Sequence, residues 1–202
     1  MAGELITMTV AVAGREAALA QQALAALEPH FRIHPEVWGT HPTGKRLRID
    51  AILQPRDPSP WSRSDIALGV EFKADNVTQG RKDKAKIISQ CIDYSLTTWD
   101  GIGLVPIFFC PGFPEVRLVH SERDPFFLGA RDYREGFLHG IGSTMAGLMG
   151  QNNVGELVQS KHLGWAFLIN GHHRIWSERL GLKTGGVGEG KRNRLLRQVG
   201  SR

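Results

Sequence analysis

The segment Ile66–Lys73 constrains this chain more than any other. Ile66, Leu68, Val70 and Phe72 alternate with Ala67, Gly69, Glu71 and Lys73, a two-residue period that an extended strand resolves into two faces. One face is wholly apolar. The other is small until it ends in an acid and a base, so burying the first face fixes Glu71 and Lys73 together on the second. Two earlier segments have the same period. Phe31–Trp38 sets Phe31, Ile33 and Val37 against Arg32, His34, Glu36 and Trp38, and Arg46–Leu53 sets Leu47, Ile49, Ala51 and Leu53 against Arg46, Arg48 and Asp50. Pro42 and Gly44 make Gly39–Lys45 the turn between them.

Helical signals bracket these strands. The Ala, Leu and Gln of Arg15–Leu27 have high helix propensity, and Pro29 stops the run. A period near 3.6 from about Gln79 to Thr98 turns Ile87, Ile88, Cys91 and Ile92 inward. Gly101–Gly103 breaks it, and Leu104–Cys110 reads as a buried strand. Beyond Pro111, Asp132 and Glu135 form a capping box for a helix to about Met149. Trp165–Ile169 and His172–Trp176 flank Asn170-Gly171, a two-residue hairpin signal that pairs Trp165 with Trp176. The expectation is an α/β fold: a central mixed sheet with a helix on each side, order αβββαβ over residues 1–110. A C-terminal helix and hairpin over 111–182 pack on it, and a basic tail spans 183–202.

Composition narrows the classes. Two cysteines in 202 residues supply neither a disulfide framework nor a four-cysteine zinc or iron–sulfur site, and they fit a reducing, cytoplasmic compartment. Met1–Val12 is apolar but carries Glu4 and no Lys or Arg, unlike a secretory signal, and no stretch approaches membrane-spanning length, so no membrane partner is expected. The formal charge of +5 is concentrated at the end. Residues 183–202 hold Lys183, Lys191, Arg192, Arg194, Arg197 and Arg202 against Glu189 alone, which makes them either an arm for phosphates or a solvated terminus.

Asp50 and Glu71 are two oxygen donors on the polar faces of strands, suited to a hard cation such as Mg²⁺ or Mn²⁺ that activates water at a phosphodiester. Lys73 emerges on the same side as Glu71, where an ammonium can orient that water or offset transition-state charge. Arg48-Ile49-Asp50, followed after twenty residues by Glu71-Phe72-Lys73, resembles the signature of the PD-(D/E)XK nucleases. The element order over residues 15–110, about half the chain, is similar to the restriction-endonuclease-like core of that superfamily. Gly44–Asp50, reading GKRLRID, and the Gln-x-x-x-Tyr spacing of Gln90 and Tyr94 look like features of its RecB-type members.

The resemblance implies a Mg²⁺- or Mn²⁺-dependent deoxyribonuclease leaving a 5′-phosphate and a 3′-hydroxyl. Asp50, Glu71 and the Phe72 carbonyl would ligate metal, Lys73 would position water, Gln90 would support the site and Tyr94 the strand around it. Arg46, Arg48, Lys82, Lys86, Lys191, Arg192 and Arg194 are the candidate phosphate contacts, with a solvated helix face as the other reading of Lys82 and Lys86. Relatives with a further ligand use a His near the first helix or an upstream Glu. Here His30, His34 and His41 lack a decisive spacing, and Glu36, which shares a strand face with Asp50, is preferred over Glu28, a surface salt bridge being its other reading. His172 and His173 have no carboxylate or cysteine at ligand spacing and read as turn residues.

DNA is the expected partner. RNA or branched substrates fit the same centre, and a non-cleaving nucleic-acid-binding or assembly protein is the rival outside the enzyme class. The tryptophan hairpin is either a homodimer contact or buried in its own domain. Deleting residues 183–202 is expected to weaken DNA binding and flatten its salt dependence, read as the slope of log K against log salt. An unchanged slope would mean an inert tail.

Overall fold

The computed structural model describes residues 2–73, 81–112, 152–160, 163–169 and 173–182. Helix α1 (Ala2–Leu27) is followed by strands β1 (Phe31–Thr40), β2 (Arg46–Pro55) and β3 (Leu68–Phe72), then by helix α2 (Arg81–Leu96). Strands β4 (Thr98–Trp99), β5 (Ile107–Cys110), β6 (Val154–Ser160), β7 (Gly164–Ile169), β8 (His173–Ser177) and β9 (Gly181–Leu182) follow among the described residues. Among the described residues one nine-stranded sheet runs β4-β1-β2-β3-β5-β6-β7-β8-β9. The β3–β5 and β5–β6 pairs are parallel and the others antiparallel, so the fold is mixed α/β with a helix on each face. Among the described residues no helix is long and apolar enough to cross a membrane.

Helix α1 ends at Leu27 because Pro29 removes the helical conformation from the residue before it. Ala23 and Leu27, one turn apart, lie against Leu68, Val70 and Phe72 of β3 and Phe108 and Cys110 of β5. The alternate residues Ile107 and Phe109 face the other way, toward Ile87, Cys91 and Tyr94 of α2. Strand β3 is therefore covered on both sides, and all five of its residues are buried. The β1–β2 turn closes through Gly44, whose φ of 83° is costly for any residue with a Cβ.

Large aromatics mark the curvature. Phe31 at the start of β1 and Trp176 of β8 have ring centroids 4.9 Å apart, although five strands lie between β1 and β8 in the sheet. A flat sheet with about 4.8 Å per strand would separate them by roughly 29 Å. The sheet instead curls, closing Phe31, Phe108, Phe167 and Trp176 into one edge-on cluster beneath α1.

Three sequence expectations change. The described residues after 152 form strands of the same sheet rather than a hairpin laid on a finished core, with β6 unforeseen. Trp176 stands opposite Phe167 instead of Trp165, because the register shifts between Phe167 and Leu168 and Ile169 pairs with His173. The strand expected over Leu104–Cys110 begins at Ile107, and Leu104 is 67% exposed. The capping-box helix at Asp132–Met149, the Asn170-Gly171 turn, His172 and the tail with Lys191, Arg192 and Arg194 lie outside the described residues.

Gly155 of β6 sits where a Cβ would meet the Leu168 carbonyl and lie 2.5 Å from Phe108 Cε1, whereas Gly14 on α1 faces open space. Gly155→Ala is expected to cost about 1–3 kcal/mol through overpacking. Gly14→Ala should stabilise by about 0.5–1 kcal/mol, because alanine loses less backbone freedom in a helix. Urea midpoints moving in opposite directions check both, and a neutral Gly155→Ala would contradict the packing of β6 against β5 and β7.

Candidate active site

The site forms where two strands part. β2 pairs with β3 from Leu53–Leu68 to Ala51–Val70. Beyond that point β2 continues with β1 to Arg46, and β3 continues with β5 to Phe72. Two side chains take over in the gap. The Phe72 N–H donates to Asp50 Oδ2 at 2.7 Å, and the Tyr94 hydroxyl donates to the Arg48 carbonyl at 2.8 Å. Strands β1 and β2 also change face here. Phe31, Ile33 and Leu53 belong to the α1 side, while Val37, Leu47 and Ile49 belong to the α2 side. The expectation that Ile49 and Leu53 share a face is corrected accordingly. The switch coincides with Glu36, whose φ of 50° interrupts the β1–β2 ladder opposite Asp50.

Glu71 points to the α2 side and is 4% exposed. Its Oε1 accepts from the Lys73 ammonium and, at 2.8 Å, from Gln90 Nε2. Gln90 Nε2 also donates to the Tyr94 hydroxyl at 2.9 Å, so Gln90 and Tyr94, one helical turn apart, tie α2 to both sides of the gap. Burial pushes the Glu71 carboxyl up to about 7, with the Asp50 charge adding to the effect and Lys73 opposing it. For Lys73 burial works against the charge, yet Glu71, Asp50 and Glu16 together raise its pKa, so it remains a cation. Burial and the nearby Glu71 push the Tyr94 hydroxyl up to about 12, and the same two causes hold the buried Cys91 thiol protonated.

Asp50, Glu71, Lys73 and Gln90 are thus brought together. Other sequence candidates go elsewhere. Glu36 pairs with Arg48 at 3.1 Å on the surface, and Arg46 pairs with Asp100 through two bonds of 3.0 and 2.6 Å. Lys86 is exposed on α2, and the Lys82 side chain lies outside the described residues. His34 bonds Gln54 at 2.9 Å, His41 bonds Thr43 at 2.8 Å, and His30 stands edge-on to Trp176. Trp165 and Trp176 are buried on the α1 side.

Two acids escaped the sequence reading. Glu16 was legible in principle: it continues the sheet-facing stripe Ala20, Ala23, Leu27 by one turn, and its charge bears on Lys73. Glu156 is fully buried. The register Glu71–Phe109–Glu156 puts it in the same row, two strands and so roughly 10 Å from Glu71.

Among the described residues no cluster of three or more His, Cys, Asp or Glu is arranged to hold a metal ion. Two carboxylates nevertheless suit Mg²⁺, which keeps several waters and needs only one or two acidic ligands. Glu71 Oε2 is buried without a hydrogen-bond partner, an acceptor whose desolvation calls for a proton or a cation. The donor set fits a hard divalent ion and does not fit tetrahedral zinc. No family model, no curated protein and no solved structure matches the chain.

The raised Glu71 carboxyl has a thermodynamic signature. The folded state prefers the protonated acid, so this contribution is complete below the ordinary value of 4.5 and is lost as pH rises through about 7. In chelator, wild-type stability should fall across that window by on the order of 3 kcal/mol more than that of Glu71→Gln. Urea midpoints measured through the window check this, and parallel profiles would refute it.

Proposed function

We propose that this chain is a metal-dependent nuclease of the PD-(D/E)XK class, with a restriction-endonuclease-like fold, that hydrolyses DNA phosphodiester bonds. The observation that carries the proposal is the gap between β2 and β3. There Asp50 and Glu71 lie on adjacent strands with Lys73 on Glu71, and the buried Glu71 Oε2 awaits a partner. Asp50, Glu71 and the Phe72 main-chain carbonyl would hold Mg²⁺ or Mn²⁺. Bound there, the ion would offset phosphate charge and make water a better nucleophile near neutral pH.

The chain's own groups do the remaining work. The Phe72 N–H fixes one Asp50 oxygen, and Gln90 fixes Glu71 Oε1, so neither carboxylate needs to reorganise as charge develops. Lys73, kept cationic by its acidic neighbours, orients the attacking water and offsets charge on the phosphate. Water adds to phosphorus as the bond to the 3′ oxygen breaks, giving the 5′-phosphate and 3′-hydroxyl products that the resemblance implies. Arg46, Arg48, Lys82 and Lys86 and the tail residues Lys191, Arg192 and Arg194 would meet the backbone phosphates. The two cysteines are both buried, and so low a cysteine count suits a reducing, cytoplasmic setting.

Linear, circular and branched DNA and single-stranded RNA, each incubated with Mg²⁺, Mn²⁺ or chelator, test the proposal. Cleavage should require the ion, and Lys73→Ala should reduce it by about 10²–10³-fold. Equal residual cleavage by wild type and Lys73→Ala would leave a non-cleaving nucleic-acid-binding protein as the better account.

A further inference from the structure

Folding leaves one tryptophan out. Of the five in the chain, Trp61, Trp99, Trp165 and Trp176 are between 1% and 6% exposed, whereas Trp38 is 49% exposed. We propose that Trp38 is a platform on which an unpaired base stacks beside the catalytic gap, so that the preferred substrate is single-stranded DNA. This deepens the nuclease reading and rests on it.

The surroundings of the ring point to a nucleic acid. Trp38 stands directly opposite Arg48 in the β1–β2 register. The Arg46 guanidinium lies 5.9 Å from the Trp38 ring, and Arg46 is fixed there by Thr40 at 2.9 Å and by Asp100. An oriented cation against an indole both polarises the ring and holds its position. Arg48 is different. Its ion pair with Glu36 joins side chains that are 48% and 66% exposed, an interaction weak enough for a phosphate to replace. The patch therefore offers an aromatic surface, a fixed cation and an exchangeable cation, the elements from which proteins build sites for single strands.

Position connects the patch to the chemistry. Arg48 precedes Asp50 by two residues, and Tyr94 pins its carbonyl to the network that holds Gln90 and Glu71. One strand spacing across and two residues along place Trp38 about 8 Å from Asp50, backbone to backbone. Alternation with Val37, Leu47 and Ile49 of the α2 side turns the Trp38 ring to the α1 face, the side from which Glu16 bears on Lys73, so a base on the indole belongs to a nucleotide that enters the gap from that face. In duplex DNA both faces of each internal base are occupied by neighbours; an unpaired base has a face to offer. Tryptophan and arginine also serve protein interfaces, but two flanking guanidinium groups next to a phosphate-directed centre favour the polynucleotide.

The test uses the full chain in chelator, where binding is separated from cleavage, with oligothymidylate and a duplex of equal length as probes. Because Trp38 is the solvent-accessible indole, acrylamide quenching reports on it, while emission from the four buried tryptophans reports that variants are folded. Oligothymidylate should shield Trp38 from acrylamide. Trp38→Ala should weaken single-strand binding about tenfold or more, with Trp38→Phe and all duplex affinities within about threefold of wild type. Equal single-strand affinity of wild type and Trp38→Ala overturns the inference, as does shielding of Trp38 by self-association without DNA. Metal-dependent cleavage that keeps its strand preference in Trp38→Ala removes the platform and leaves the nuclease reading. Trp38-dependent binding with no cleavage by the wild type does the reverse.

Discussion

The bond from the Phe72 N–H to the Asp50 carboxylate is the interaction on which the site depends. An antiparallel pair such as β2–β3 would ordinarily continue its ladder until one strand ended. Here a side chain accepts the backbone donor instead, which lets the strands separate without leaving that N–H unsatisfied. The same bond holds a carboxylate at the mouth of the opening it creates. On the other lip, the Tyr94 hydroxyl satisfies the Arg48 carbonyl. Polar groups released from the ladder are thus answered by the residues that define the candidate chemistry.

The gap is held rigid from behind. Strand β3 carries Glu71 into the α2 side while Leu68, Val70 and Phe72 are packed on the α1 side, so the carboxylate cannot swing without moving the core. The price is a desolvated acid, visible in its raised pKa and in the unmatched Oε2. Lys73 and Gln90 meet one oxygen only. A proton or a bound cation at Oε2 would supply what that oxygen lacks.

Much of this was legible in the chain itself. The alternation of Ile66–Lys73 fixed the faces of Glu71 and Lys73, and the four-residue spacing of Gln90 and Tyr94 put them on one helical line. What failed had local causes. The switch of face at Glu36 and Asp50 depends on one left-handed backbone conformation, which no hydrophobic pattern announces. The register of Trp176 depends on a shift inside β7–β8, invisible to a rule that extrapolates from the turn. Strand β6 is masked in the sequence although Val154, Glu156 and Val158 alternate with Gly155, Leu157 and Gln159, because a buried Glu breaks the expected apolar face. Glu16 is invisible to helix propensity, which carries no information on the direction of each side chain.

The parallel centre of the sheet has a kinetic consequence. β1 and β2 are neighbours in sequence and can pair through a short turn, but β5 must find β3 across α2 and β6 must find β5 across residues 111–153. Closing such segments costs entropy before any contact rewards it, so ladders of this kind form late and slow the search. Until they form, Phe72 has no strand to pair with, and the wall behind Glu71 is missing. The raised pKa of Glu71 is therefore a property of the closed sheet, and it requires the β3–β5 ladder that backs the carboxyl.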